Sequence, residues 1–97
     1  MMKQLTIYCS AELEPDVSQI FHKYEIDGFI HIPGIYGNKL KPRGSLEKDQ
    51  IWPASGFVLH TDELNIRGII QDLQNYANKC DIQPCLRMVV TPVEKCI

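Results

Sequence analysis

The sequence predicts an α+β fold: a ferredoxin-like βαββαβ sandwich, with a four-stranded antiparallel sheet and two helices on one face. Three observations carry this prediction. Apolar residues alternate with a period of two near the start, recur at helical spacing in two separate segments, and gather in short apolar runs at 29–32, 57–59 and 85–90. The 97 residues allow one domain, spanning 1–97, with a core just large enough to stand without help from partner chains.

In the first strand, Leu5, Ile7 and Cys9 alternate with Thr6, Tyr8 and Ser10. Pro15 suits the first turn of a helix, Glu14 and Asp16 suit the positive end of its dipole, and Val17, Ile20, Phe21 and Tyr24 supply its apolar stripe. Asp27-Gly28 marks its expected end. Phe29 to Ile32 reads as a short second strand that Pro33-Gly34 closes. The stretch from Gly34 to Gly56 shows too little periodicity for a core element and reads as a long loop between two strands.

Gly56 to His60 reads as the third strand, and Thr61 or Asp62 caps a helix that begins at Leu64. That helix is the best-defined element, with Ile66, Ile69, Ile70, Leu73, Tyr76 and Ala77 on one side and Gln71, Asp72, Gln74, Asn75 and Asn78 on the other. Gly68 inside it costs about 1 kcal/mol relative to alanine, which implies a close approach of a neighbour. Cys85 to Val90 forms the last strand, ended by Thr91-Pro92. With helices on one face only, the other sheet face still carries apolar residues, so burial between subunits is expected.

The composition is that of a globular protein, with 44% hydrophobic and 23% charged residues. A formal net charge of -2 argues against a general nucleic-acid binder. No apolar run resembles a signal peptide or a membrane span, so no direct membrane insertion is expected and the cytoplasm is the expected location. Cys9, Cys80, Cys85 and Cys96 lack the C-x-x-C spacing of a zinc or redox motif. Cys9 reads as a small buried thiol, Cys80 and Cys85 flank a turn where a local disulfide or shared metal is conceivable, and Cys96 reads as an incidental thiol.

Lys39, Lys41, Arg43 and Lys48 against Glu47 and Asp49 leave the long loop mildly basic. It reads either as a solvated loop or as a cationic finger for an acidic partner or small anion, with Gly37, Pro42 and Gly44 letting it reshape. Trp52 before Pro53 is either an anchor under the loop or a wall of a ligand cleft. His31 and His60 lie on the strands flanking the loop. They read as satisfied core or interface histidines, or, with Cys9, as ligands for a divalent metal if a shared face or a symmetry axis gathers them. His22 reads as a surface residue.

The segments Ile26-Asp27-Gly28-Phe29, Ile32-Pro33-Gly34-Ile35-Tyr36-Gly37, Trp52-Pro53 and Val90-Thr91-Pro92-Val93-Glu94, set in this order of strands and helices, resemble the PII-like proteins, a superfamily of nitrogen-regulatory PII proteins and the CutA family. The resemblance spans nearly the whole chain. It implies a homotrimer that senses or signals, with the 34–56 segment in the place of the PII T-loop and a small effector bound at the subunit clefts. It implies contact with a protein partner such as a transporter or an enzyme. Tyr36, Gly37, Lys39, Lys41, Arg43 and Trp52 are the expected ligand-binding residues.

The chain departs from the PII pattern between its second helix and last strand, where Asn78 to Cys85 holds no glycine and a single lysine. ATP held in the PII manner is therefore not expected. The effector's identity stays open. A CutA-like metal-binding protein is the first alternative, and a small dimeric α+β barrel enzyme built on Tyr8, His31 and His60 is the second. No phosphate loop, nucleophile elbow or zinc-hydrolase histidine pair is present in the sequence, and the expectation is of a protein that binds rather than catalyses.

Overall fold

The computed structural model describes residues 2–79 and 86–95. Four strands, β1 (Met2–Ser10), β2 (Ile30–Lys39), β3 (Gln50–Asp62) and β4 (Leu86–Pro92), form one antiparallel sheet in the order β2-β3-β1-β4. Helices α1 (Glu14–Phe21) and α2 (Glu63–Ala77) lie against one face, so the predicted ferredoxin-like α+β sandwich is the fold observed.

Alternation in β1 sends Leu5, Ile7 and Cys9 into the core, where they meet Leu59, Phe57 and Ser55 across the ladder with β3. Val17, Ile20 and Phe21 of α1 and Ile66, Ile69 and Leu73 of α2 close over them. Each fully buried Leu, Ile or Phe stabilises the fold by about 2 kcal/mol. Phe21 and Phe57 meet edge to face with ring centroids 5.5 Å apart, and Phe29 joins both.

Pro15 sits in the first turn of α1, as its fixed φ favours. The helix stops at Phe21, short of Asp27-Gly28, and runs out in a tighter turn in which the N–H groups of His22, Lys23 and Tyr24 donate three residues back; the Tyr24 hydroxyl then donates to Asp72 of α2 at 2.6 Å. Asp62 caps α2 by accepting from the Asn65 backbone N–H at 2.9 Å. The neighbour expected beside Gly68 is Tyr24, whose ring would lie 2.6 Å from a β-carbon at that position.

The predicted long loop over 34–56 is shorter than its sequence suggests. β2 and β3 run into it from both sides and pair from Ile35 opposite Ala54 to Lys39 opposite Gln50, leaving only residues 40–49 as the connection. Pro33-Gly34 does not end β2; it makes a bulge between Ile32 and Ile35, with Gly34 at φ 73°. β1 reaches only to Ser10, opposite Ala54, so the ribbon of 36–39 and 50–53 extends past it as a two-stranded arm. At its tip the Ser45 N–H donates to the Pro42 carbonyl across a tight turn, and Gly44 supplies the required positive φ of 85°.

Candidate functional site

The sheet face away from the helices carries Thr6 and Tyr8 of β1, Ile30 and Ile32 of β2, Gly56, Val58 and His60 of β3, and Arg87 and Val89 of β4, as the register dictates. Tyr8, Ile30, Ile32 and Val89 are all exposed on it. This is the uncovered apolar face that the strand composition predicts.

At the end of the β1–β4 ladder, beside the root of the arm, the chain forms a cleft of about 570 Å³ lined from both faces of the sheet, Cys9 and Leu86 included. The arm supplies Tyr36, Gly37, Lys39 and Trp52; the body supplies Tyr8, Ser10, Leu86 and Arg87; Ile35 and Ala54 lie at the junction. Tyr8 and Arg87 are directly paired between β1 and β4. Trp52 pairs with Gly37 across the arm, and a β-carbon on residue 37 would collide with the indole, so the glycine is what lets the ring lie against the ribbon. Three aromatic side chains and two cations thus border one concavity. That chemistry suits a small anion with a planar or apolar body.

Four of the six expected ligand-binding residues, Tyr36, Gly37, Lys39 and Trp52, border this cleft. Lys41 and Arg43 do not. They stand at the tip, where the Lys41 N–H donates to Asp49 at 2.8 Å and its ammonium pairs with Glu47 at 3.3 Å. Arg87 and Ser10 are cleft residues that the sequence reading does not single out, and Tyr8 enters it only as a candidate for the barrel enzyme.

His31 and His60 do not share a face. His31 stands opposite Phe57 on the helix side and stacks on its ring at 4.8 Å, whereas His60 stands opposite Gln4 on the open side and meets its amide oxygen at 2.9 Å. One chain therefore does not gather the pair around a metal, and no group of three or more His, Cys, Asp or Glu side chains placed to hold an ion occurs among the described residues. Tyr8 and His60 share the open face without His31. Burial, with the charge of Glu14 adding to it, pushes the Cys9 thiol up to about 11, away from the thiolate form a metal requires. Cys80, Cys85 and Cys96 lie outside the described residues, as do 80–85 of the segment where the PII phosphate site is expected.

On the helix side, at the root of the arm, Glu14 accepts a short hydrogen bond from the Ser55 hydroxyl and meets His31 Nε2 at 3.1 Å. The Ser55 bond lowers the Glu14 pKa from its usual 4.5; partial desolvation opposes this, and His31 lowers it further.

No family model matches the sequence, and no curated protein matches it. Solved structures are similar to it in fold at low identity. GlnK of B. subtilis superposes with a TM-score of 0.77 at 8% identity, covering 96% of this chain and 85% of that one. CPII of Thiomonas intermedia, a nitrogen-regulatory PII-like protein, gives 0.70 in its apo form at 11% identity, covering 93% and 86%. Its complex with ADP, AMP and bicarbonate gives 0.67 at 11% identity, covering 99% and 96%. No helix among the described residues is long and apolar enough to cross a membrane. The chain carries the fold of the PII-like proteins at 8–11% sequence identity to those compared.

Proposed function

We propose that this protein is a PII-like regulatory subunit that binds a small anionic effector in the cleft between arm and body and passes its occupancy to a protein partner through the arm. One observation carries the reading. The cleft has one wall on the arm, with Tyr36, Lys39 and Trp52, and the other on the body, with Tyr8 and Arg87. An occupant touching both walls binds one arm position better than others and shifts the arm toward it; that differential affinity supplies the switching energy.

An adenine nucleotide is the effector class that this lining suits. Its base has an aromatic face for Trp52 or the tyrosines, and its phosphates have Lys39 and Arg87. The cations come from β2 and β4, so this mode does not require the glycine-rich segment of PII proteins. The complex of CPII with ADP, AMP and bicarbonate, a structure of the same fold, supports the choice. The open face with Tyr8, Ile30, Ile32 and Val89 supports a homotrimer, in which other copies cover it. The exposed arm tip, with Arg43, Leu46 and Lys48, supports contact with an acidic surface on a partner such as a transporter or an enzyme.

Trp52 is the only tryptophan in the sequence and reports on the cleft directly. Titration with ADP, AMP, ATP and bicarbonate, followed by its fluorescence and by native mass spectrometry, tests the reading. Saturable binding of a nucleotide, one per subunit of a trimer, is expected, with Arg87→Ala weakening it about tenfold or more through loss of a charge-assisted contact. Binding of none of the four, or nucleotide binding that Arg87→Ala leaves unchanged, overturns this use of the cleft.

A further inference from the structure

The bulge at Pro33-Gly34 is where the arm leaves the body. Ile32 still pairs with Gly56 and Ile35 already pairs with Ala54, so two residues of β2 stand opposite the single residue Ser55 of β3. Bulges weaken the ladder locally and let a strand bend, and a two-stranded ribbon beyond one has little to hold its angle. Here the weak point is covered. The Glu14 carboxylate, at the first residue of α1, takes the Ser55 hydroxyl and His31 Nε2 on the same oxygen. Ser55 is 1% exposed, and the His31 ring is kept in place by stacking on Phe57 with an interplanar angle of 12°. One side chain of the helical layer thus grips both strands of the arm at its root, each within reach of a cleft residue: Ser55 beside Ala54, and His31 just before the bulge that leads to Ile35.

We propose that Glu14 is the positioning residue of the arm. It is not among the residues that line the cleft. By tying β2 and β3 to α1 at the bulge, it holds the arm's cleft wall in place before an effector arrives, so binding does not have to order it. The consequence for effector affinity rests on the cleft reading above; the consequence for the arm does not.

The test compares the full-length protein with Glu14→Gln, Glu14→Ala and Ser55→Ala, and needs no ligand for its first half. Amide hydrogen exchange is measured at 35–39 and 50–54 and referred to core amides of Leu5, Ile7 and Ile69. Glu14→Ala is expected to speed exchange in the arm about tenfold while the core rates hold, because local opening there requires no global unfolding. Glu14→Gln, which still offers an oxygen to Ser55, is expected to recover part of that protection, and Ser55→Ala to lose part of it. Arm rates unchanged in Glu14→Ala overturn the proposal; if that variant does not fold, unchanged arm rates in both Glu14→Gln and Ser55→Ala do so. Equal acceleration of arm and core assigns Glu14 a general structural role and also overturns it. The second half titrates ADP against Trp52 fluorescence, where affinity is expected to fall in step with arm protection, whereas Arg87→Ala lowers affinity and leaves arm exchange as it was. Failure of ADP to bind the parent protein removes the effector reading while the exchange data still decide the role of Glu14.

Discussion

Trp52 packs its indole against Gly37 directly across the β2–β3 ladder, in space that any other residue at position 37 would fill with its β-carbon. Gly37→Ala is therefore expected to push the ring off the ribbon and into the cleft or solvent. The measurable result is a changed Trp52 emission maximum and greater quenching by acrylamide, with loss of ADP binding if the cleft is its site. Denaturant stability should change little, because the arm pairs lie beyond the core. An emission spectrum identical to the parent's would show that the indole does not depend on Gly37.

Gly68 and Tyr24 pose the same problem inside the body. Glycine to alanine in a helix interior stabilises by about 1 kcal/mol on propensity alone. At position 68 the new β-carbon would meet Tyr24 Cε1 at 2.6 Å and the hydroxyl at 2.8 Å. Tyr24 is held by its bond to Asp72 and cannot yield freely. Gly68→Ala is expected to destabilise by about 1–3 kcal/mol in urea unfolding, the usual cost of overpacking. In a Tyr24→Ala background the same change is expected to turn neutral or stabilising. Stabilisation in the parent background would refute the contact.

These glycines show what a single sequence can and cannot reveal. α2 and β1 are legible because period and burial coincide: Ile66, Ile69 and Leu73 are buried, as are Leu5, Ile7 and Cys9. A glycine inside a strong helical stripe signals a close neighbour, although not which one. The arm is not legible. Its residues lie beyond the helical layer, so no alternation marks them; Pro33-Gly34 reads as the end of a strand but forms a bulge, and Gly37 reads as a point where a loop reshapes but forms the seat of the indole. The sequence suggests Trp52 as a cleft wall from its chemistry, but Arg87 joins Tyr8 only through a strand register, which no local pattern encodes. Glu14 suits the helix dipole by sequence, and its hold on Ser55 and His31 is a tertiary fact.

Two tyrosines tie the helical layer together. Tyr24 donates to Asp72, and Tyr76 on α2 donates to Asp16 on α1 at 2.8 Å. Burial first, and then the neighbouring carboxylate, raise each from 10.0 to about 12. A phenol whose folded value lies above its unfolded one contributes stability that is whole below pH 10 and is lost as pH climbs through 12. Phenolate absorbance is expected to show two late-ionising groups in the folded protein, with Tyr24→Phe and Tyr76→Phe each removing one. Titration of either near pH 10 in the native protein would contradict its hydrogen bond.

Glu14 gives the opposite sign at the acid end. Its folded pKa is lowered from 4.5, chiefly by the Ser55 hydrogen bond and then by His31, against partial desolvation. A carboxylate with a lowered folded value contributes stability that is present above its unfolded value and fades as pH falls through the folded one. The parent protein is therefore expected to lose denaturant stability below pH 4.5 more steeply than Glu14→Gln. Cys9 and His31 are the other titratable groups beside this carboxylate, and Cys9 stays protonated throughout that range, with its value near 11. Comparing Glu14→Gln with Ser55→Ala separates the causes: because the hydroxyl is the main one, Ser55→Ala alone is expected to flatten most of the acid limb. Identical acid limbs for parent and Glu14→Gln would mean that the carboxylate titrates alike in the folded and unfolded chains, and that the clasp at the root of the arm contributes nothing in solution.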